Sequence, residues 1–368
     1  MNVVVTGAKG FIAKNLVQHL SYKKDMEVFM LDRSSDNTGW KNLLQEAQIV
    51  IHLAGVNRTN DPNEFVQVNH DLTALISDTL EETGKAYKLL YASSTQANLG
   101  NDYGNSKKNA EDYLFKHTKN GEVAIYRLPG VFGKWGRPNY NSVVATFCYN
   151  IAHGIEPHIH NPESSLNLVY IDDVCDQFLK DIDTSFMAGK VEMKEITPAY
   201  HITVGELASI LESFRESRKN LFLPEVGDPL VKKLYSTFLS FLPENNFDYN
   251  LELKTDSRGS LFELLKSPAI GQVFLSYTNP GITRGNHFHH TKTEKFCVIA
   301  GEGLIQFRKP EDKNIIEYQV SGKKPKIIDI PPGYTHNITN IGTSEMITLF
   351  WANEVFDTGK PDTYFLPV

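Results

Sequence analysis

Val3-Val4-Val5-Thr6-Gly7-Ala8-Lys9-Gly10-Phe11-Ile12-Ala13 stands almost at the start of the chain. The valine run favours a buried strand, and the residues after the glycines have helical spacing. Gly7 permits a tight turn between the two. Gly10 lets the backbone approach a pyrophosphate, and Ala13 is small enough to pack closely on the strand. The helix start offers unpaired N–H groups and a partial positive charge. Gly7, Lys9, Gly10, Phe11 and Ile12 are therefore candidates for holding a dinucleotide.

Outward from this stretch, residues 1 to about 130 alternate apolar runs with helical patterns. Asn2–Thr6, Val28–Asp32, Ile49–Ala54, Lys88–Ser93 and Val123–Leu128 read as strands, and Phe11–His19 and Asn69–Glu81 as helices. Such alternation predicts an α/β fold, a Rossmann-like doubly wound parallel sheet, with ligands at the carboxyl ends of the strands. Asp32 ends the second strand where an adenosine ribose would lie. Arg33 follows it, and Arg33 with Lys9 offers a site for a 2′-phosphate, which favours NADPH over NADH. Two plain surface cations are the alternative.

Tyr103-Gly104-Asn105-Ser106-Lys107 places a phenol and an ammonium four residues apart on one helical face. The lysine charge is expected to lower the phenol pKa, so that Tyr103 exchanges a proton with a substrate oxygen while hydride moves at the carbon. Lys107 is also placed to bond the nicotinamide ribose. Ser94, at the end of the strand before it, is chosen as the hydroxyl that bonds the same oxygen, with Ser93 or Thr95 as alternatives.

These residues, with His52-Leu53-Ala54-Gly55, Asn69, Arg127-Leu-Pro-Gly-Val-Phe-Gly133 and Val169-Tyr-Ile-Asp-Asp-Val174, resemble the extended short-chain dehydrogenase/reductase family over about residues 1–243. The resemblance implies an NADPH-dependent reductase of nucleotide-linked sugars, with Leu53 and Ala54 among the cofactor contacts. Arg127 and Asn141 are the sugar-binding candidates. The loop from Ser94 to Tyr103 is short for that family, and Gly130 stands where an asparagine is usual.

Past Pro243–Asn246 the character changes. Residues 244–250 read as a linker and 251–368 as short β-rich runs: Gly271–Tyr277, Lys295–Gly301, Gly303–Arg308, Lys326–Ile330, Ile338–Ile341 and Glu345–Trp351. This predicts an all-β jelly roll. His287 and His289 alternate as on one strand face, Glu294 follows, and His336 comes after a Pro-Pro-Gly turn. Three imidazoles and a carboxylate suit a divalent transition metal, zinc first, with nickel, iron and manganese open. The spacing Gly281-x5-His287-x-His289-x4-Glu294-x6-Gly301, with Pro331-x-Gly333-x2-His336-x3-Asn340, resembles the two motifs of the cupins. His290, Lys292, Glu302 and Tyr334 are candidates for a base beside the metal. His158 and His160 also alternate, but no carboxylate joins them at metal spacing.

The chain has 368 residues, 41% hydrophobic and 22% charged, with a net charge of −7. That length predicts two or three domains, and no basic field exists to hold nucleic acid or an anionic membrane. Cys148, Cys175 and Cys297 are scattered and odd in number, which fits a reducing compartment. With no secretory pattern and no apolar run near the roughly 20 residues of a bilayer span, a cytoplasmic protein is expected.

An extended reductase fused to a cupin is similar to the bifunctional enzymes of capsular polysaccharide synthesis. That resemblance implies a UDP-linked 2-acetamido-2,6-dideoxy-4-ketohexose, epimerised at C3 by the cupin. The reductase then acts at C4 with NADPH to give UDP-2-acetamido-2,6-dideoxy-L-talose, a precursor of N-acetyl-L-fucosamine. It also implies a homodimer. The alternatives are a reductase whose cupin only binds sugar or mediates dimerisation, and a non-catalytic dinucleotide sensor.

Overall fold

Three consecutive valines, buried on both faces, set the first layer. The computed structural model describes residues 1–35 and 37–368. In it the N-terminal elements run β1 (Asn2–Thr6), α1 (Phe11–Leu20), β2 (Glu27–Leu31), α2 (Asn37–Glu46) and β3 (Ile49–His52). Next come α3 (Pro62–Phe65), a π-wound turn (Val66–Asp71), α4 (Leu72–Glu82), β4 (Tyr87–Ser94) and α5 (Asp102–His117). They are followed by β5 (Gly121–Leu128), β6 (Gly130–Phe132), α6 (Val143–Ala152), β7 (Ser165–Tyr170), α7 (Ile171–Ile182) and β8 (Lys190–Lys194). Then come β9 (Tyr200–Thr203), α8 (Val204–Asn220) and α9 (Pro229–Leu239).

Strands in the order β2-β1-β3-β4-β5-β8 form one parallel sheet. Side chains alternate across it. Val3 and Val5 pack with Ala13, Leu16 and Leu20 of α1 and Phe178 of α7 on one face. Val4 packs with Leu44, Ile76, Leu80 and Leu114 on the other. The chain crosses from β2 back over β1 to β3, so the order reverses between β1 and β3. A crevice opens at such a switch point, beyond the carboxyl ends of the strands.

His201–Arg218 has the spacing of an amphipathic helix, but the helix begins later, at Val204. Tyr200–Thr203 is a strand, with Ile202 opposite Leu166 of β7. Thr203 then caps α8. Its hydroxyl accepts from the Glu206 amide at 3.2 Å, and Glu206 Oε2 accepts from the Thr203 amide at 2.9 Å. This reciprocal capping box was legible as Thr-x-x-Glu.

The chain divides into two compact units, Met1–Glu212 with Gly227–Pro243, and Ser213–Val226 with Glu244–Val368. The composition change falls at Pro243–Asn246. Ser213–Val226 joins the second unit because the Leu223 amide donates to Lys266 O (2.8 Å) and the Lys266 amide to Leu221 O (2.7 Å).

The second unit contains β10 (Lys254–Asp256), β11 (Gly259–Ser267), β12 (Gly271–Thr278), β13 (Thr283–Phe288), β14 (Glu294–Ala300) and β15 (Glu302–Arg308). After them come β16 (Ile316–Ser321), β17 (Ile328–Ile330), β18 (Thr335–Asn340), β19 (Met346–Ala352) and β20 (Tyr364–Phe365). Two antiparallel sheets result, β10-β11-β12-β19-β14-β17 and β16-β15-β18-β13-β20. Phe296, Val298 and Phe350 from one meet Ile305, Phe307 and Ile338 from the other. Among the described residues no helix is long and apolar enough to cross a membrane, and Cys148, Cys175 and Cys297 are free thiols.

Candidate active sites

In the first unit, a cavity of about 840 Å³ opens at the switch point, with Gly7, Lys9, Gly10, Asp32, Arg33, Leu53 and Ala54 in its wall. Gly7 has φ 67°, and a Cβ there would lie 2.7 Å from the Ala54 backbone, so the turn admits only glycine. Helix α1 starts at Phe11 with no side-chain cap and no acidic residue in its first turn. Its leading amides are left for an anion. Phe11 and Ile12 are not in the cavity wall; they pack partly against the core beneath. These features fit the diphosphate and adenosine of a dinucleotide.

The adenosine end carries paired charges. Lys9 Nζ lies 2.9 Å from Asp32 Oδ2, and the Arg33 guanidinium 2.8 Å from Glu64 Oε1. Ser34 donates to Asp32 from its amide and its hydroxyl, and with Lys9 these bonds lower the Asp32 carboxyl to about 2. Each cation would have to turn from its carboxylate to meet a phosphate.

Helix α5 begins at Asp102 because Asn101 caps it, accepting from the Gly104 amide at 2.7 Å. That start brings Tyr103 near Ser94, whose hydroxyl works against the rise that burial imposes on the phenol. Of the three hydroxyls considered, Ser93 is spent on Glu111 (2.5 Å) while Ser94 faces Tyr103. Lys107 is buried, donates to Ala92 O at 2.9 Å and sits 4.8 Å from the centre of the Tyr91 ring. Burial pulls its pKa down to about 8, opposed by Glu111. The expectation that Lys107 lowers the Tyr103 phenol is not met in this structure. Burial of the ring raises that phenol, and the Ser94 hydroxyl offsets only part of the rise. A Cβ on Gly55, in the cavity wall, would stand 3.2 Å from Lys107 Nζ, which joins the cavity to the Tyr103 helix.

Arg127, a sugar-binding candidate, is committed elsewhere. Its guanidinium grips the fully buried Glu111 through Nε (2.9 Å) and Nη2 (2.5 Å) and reaches Asn98 at 2.9 Å. Glu111 extends the series Tyr103, Lys107, Glu111 at a spacing of four, a helical signal the motif reading stopped short of. Asn69 is likewise internal, exchanging bonds of 2.9 Å with the Val56 backbone and donating to Ser106 Oγ at 3.0 Å. Ser106 in turn donates to Tyr103 O. His158 and His160 are exposed and touch edge to face at 4.3 Å.

In the second unit, His287, His289, Glu294 and His336 offer donor atoms that all lie within 4.8 Å of one another. The convergence is not that of one regular strand. A bulge at Asn286 (φ 61°) interrupts β13 between Gly285 and His287, and His289 lies one residue past the strand end. Two of the rings are held by main-chain carbonyls. His289 Nδ1 donates to Asp362 O (2.5 Å) and His336 Nδ1 to Tyr334 O (3.2 Å). A carbonyl can only accept, so His289 and His336 turn unprotonated Nε2 atoms inward when neutral.

Those Nε2 atoms lie 3.2 and 3.4 Å from Glu294 Oε2. His336 Nε2 is buried without a well-formed hydrogen bond. Burial opposes the charged form of Glu294, but the two imidazoles, when they carry a proton at Nε2, outweigh it and hold the carboxyl at about 2. Burial, with the neighbouring rings, pushes His287 down to about 4. A buried His336 nitrogen without a well-formed hydrogen bond, facing the Glu294 carboxylate beside the rings of His287 and His289, fits a divalent cation.

The base candidates have other partners. Lys292 is buried but donates to Pro361 O at 2.6 Å, with Thr363 Oγ1 at 3.5 Å and Glu354 Oε1 at 3.7 Å. His290 is exposed against Tyr364, and Glu302 is exposed at the start of β15. Tyr334 supplies its carbonyl to His336.

Residues 3–190 match the NAD dependent epimerase/dehydratase family, and residues 254–364 the polysaccharide biosynthesis C-terminal domain. A protein of Pseudomonas aeruginosa described as UDP-2-acetamido-2,6-beta-L-arabino-hexul-4-ose reductase is 45% identical over 99% of this chain and 98% of its own. The crystal structure of the capsular polysaccharide assembling protein CapF from Staphylococcus aureus superposes with a TM-score of 0.91, at 43% identity and covering 100% of both chains. CapF with the inhibitor 3-isopropenyl-tropolone superposes at 0.87 and 40% identity, again over 100% of both.

Proposed function

This chain belongs to the NAD dependent epimerase/dehydratase family, and on that premise we propose that it is a nucleotide-sugar reductase of capsule synthesis with a second, epimerising site. The substrate is a UDP-linked 2-acetamido-2,6-dideoxy-4-ketohexose. The β-sandwich, read as a metal-binding cupin, inverts C3. The first unit then reduces the C4 ketone with NADPH to UDP-2-acetamido-2,6-dideoxy-L-talose.

The order of steps follows from acidity. A C4 ketone acidifies the C3–H bond, so inversion must precede reduction, and reduction then fixes the stereochemistry. NADPH, when bound, would supply the hydride for C4, and Tyr103 gives its phenolic proton to the C4 oxygen. Ser94 bonds the same oxygen. Lys107, held near neutrality at about 8, replaces the phenolic proton and holds the nicotinamide ribose. In the β-sandwich, His287, His289, Glu294 and His336 would hold a divalent cation, zinc by preference, which when bound supplies Lewis acidity toward a substrate carbonyl. The inhibitor of a CapF relative is a tropolone, an α-hydroxyketone of chelating type, which agrees with such a centre.

The observation that carries the reading is the inward-facing His-His-Glu-His cluster on the same chain as the Ser94, Tyr103 and Lys107 set. One observation favours the alternative, a sandwich that only binds sugar or holds a dimer: the buried Lys292 ammonium is already engaged by its neighbours. Incubation of the keto sugar in D2O without NADPH separates the two. Deuterium at C3 supports epimerisation; its absence with a loaded metal supports the alternative.

A further inference from the structure

The chain does not end at its last core strand. After β19 closes at Ala352, residues 353–368 return across the end of the sandwich that holds the histidines. Tyr364 and Phe365 pair with Phe288 and His287. The Leu366 amide donates to Asn286 O at 2.9 Å, and Arg308 Nη2 to Pro367 O at 2.6 Å.

Two residues before the Tyr364–Phe365 strand sits Asp362, with φ 37°. That backbone region is costly for a residue with a Cβ and persists only where surroundings hold it. The surroundings here are specific. Asp362 Oδ1 accepts from the His290 amide at 3.0 Å. Its Oδ2 accepts from the Thr291 amide (2.9 Å), the Lys292 amide (2.8 Å) and the Thr291 hydroxyl (2.9 Å). Three successive amides thus wrap one carboxylate, as in an anion nest. These residues are the turn between His289 and Glu294. The backbone carbonyl of the same Asp362 accepts from His289 Nδ1.

We infer that Asp362 is a positioning residue for the cation site: its carboxylate locks the His290–Lys292 turn while its carbonyl fixes the tautomer and direction of His289. A purely structural clamp would tie the turn anywhere along its length. Here the carboxylate contacts begin at the residue after a ligand, and the carbonyl bonds that ligand itself. The inference rests on the reading of the cluster as a metal centre. No pattern in the sequence announces it, since Asp362 and His289 are 73 residues apart.

Two variants of the full-length protein separate the parts. Asp362→Gly deletes the carboxylate but tolerates the positive φ, and Asp362→Asn keeps the shape with a weaker acceptor. Zinc affinity is read by competition with a chromophoric chelator, and site geometry by the visible spectrum of the cobalt-loaded protein. Asp362→Gly is expected to weaken zinc binding about 10–100-fold, the usual cost of losing a residue that orients a ligand, and Asp362→Asn to weaken it less. The cobalt bands shift in both, while NADPH binding is unchanged. Wild-type zinc affinity and cobalt bands in both variants overturn the inference and leave the metal reading intact. A wild-type protein that binds no divalent ion overturns the metal reading and the inference with it. Should Asp362→Gly not fold, Asp362→Asn alone decides by the same two measurements.

Discussion

His52 shows how far a single residue's chemistry can be worked out from its partners. It is fully buried, with Thr6 Oγ1 2.7 Å from Nδ1 and Thr73 Oγ1 2.9 Å from Nε2. Thr73 spends its own proton on Asn69 O, so it must accept from Nε2–H. Nδ1 is then an acceptor, bonded by the Thr6 hydroxyl. A second ring proton would compete for the Thr6 oxygen, which already accepts from the Ala54 amide, and burial, with Lys107 adding, lowers the His52 pKa to about 3. The sign follows: between pH 6.5 and 3 the unfolded chain binds a proton that the folded one refuses, so stability falls as pH falls through that window. From pH 7 to pH 5 this one group should remove about 2 kcal/mol of unfolding free energy. Urea titrations at both pH values check it. His52→Gln, less stable at pH 7, should show a pH dependence flatter by that amount; an unchanged slope refutes the assignment. The buried Glu111 makes a second case. Glu111→Gln leaves the Arg127 guanidinium short of a charged partner and is expected to cost about 1–3 kcal/mol, read from the same titrations at pH 7.

At the scale of elements, the start of α5 is the most constrained joint. A Cβ on Gly104 would fall 2.1 Å from Gln96 O, so the helix carrying Tyr103 and Lys107 rests directly on the turn that follows Ser94. Gly104→Ala should push the helix start away, costing about 1–3 kcal/mol by overpacking. It should also lower kcat for NADPH oxidation, while zinc content stays at the wild-type level. Differential scanning calorimetry and steady-state rates check both halves. The strands that were legible in sequence are those with a clear burial signal: β1 and β5 have central apolar runs and are buried nearly throughout, as strands covered on both faces must be. β9 was not legible, because its four residues run straight into the helical spacing of α8. β16 alternates apolar and polar residues from Ile316 to Ser321 but is largely exposed, and β20 is only two residues long; neither was read as a strand. At the sites, the glycine turn, Tyr103, Lys107 and the four cluster residues were readable because their chemistry is local in sequence or set by motif spacing. The tie of Glu111 to Arg127 and that of Asp362 to His289 are made only by the fold.

For the whole molecule, the proposal divides two reactions between two units, and that division can be broken one half at a time. Reduction needs the proton that Tyr103 carries; inversion at C3 does not. Tyr103→Phe removes one oxygen from a half-buried ring and should lower NADPH oxidation by about 10²–10⁴-fold, the usual worth of a positioned proton donor. The same variant should go on exchanging C3–H for deuterium at the wild-type rate. His336→Ala takes out a fully buried ring whose Nε2 faces Glu294, and should do the reverse. Deuterium exchange is lost, while a keto sugar that already has the inverted C3 is still reduced. NMR of the sugar in D2O and absorbance of NADPH read the two activities on the same samples. If Tyr103→Phe abolished both, the first unit would be performing the inversion, and the cluster would be left with a binding role. If His336→Ala left exchange intact, the metal centre would have no part in moving the C3 proton. Only the crossed pattern, each variant losing one activity and keeping the other, agrees with two consecutive reactions on one chain.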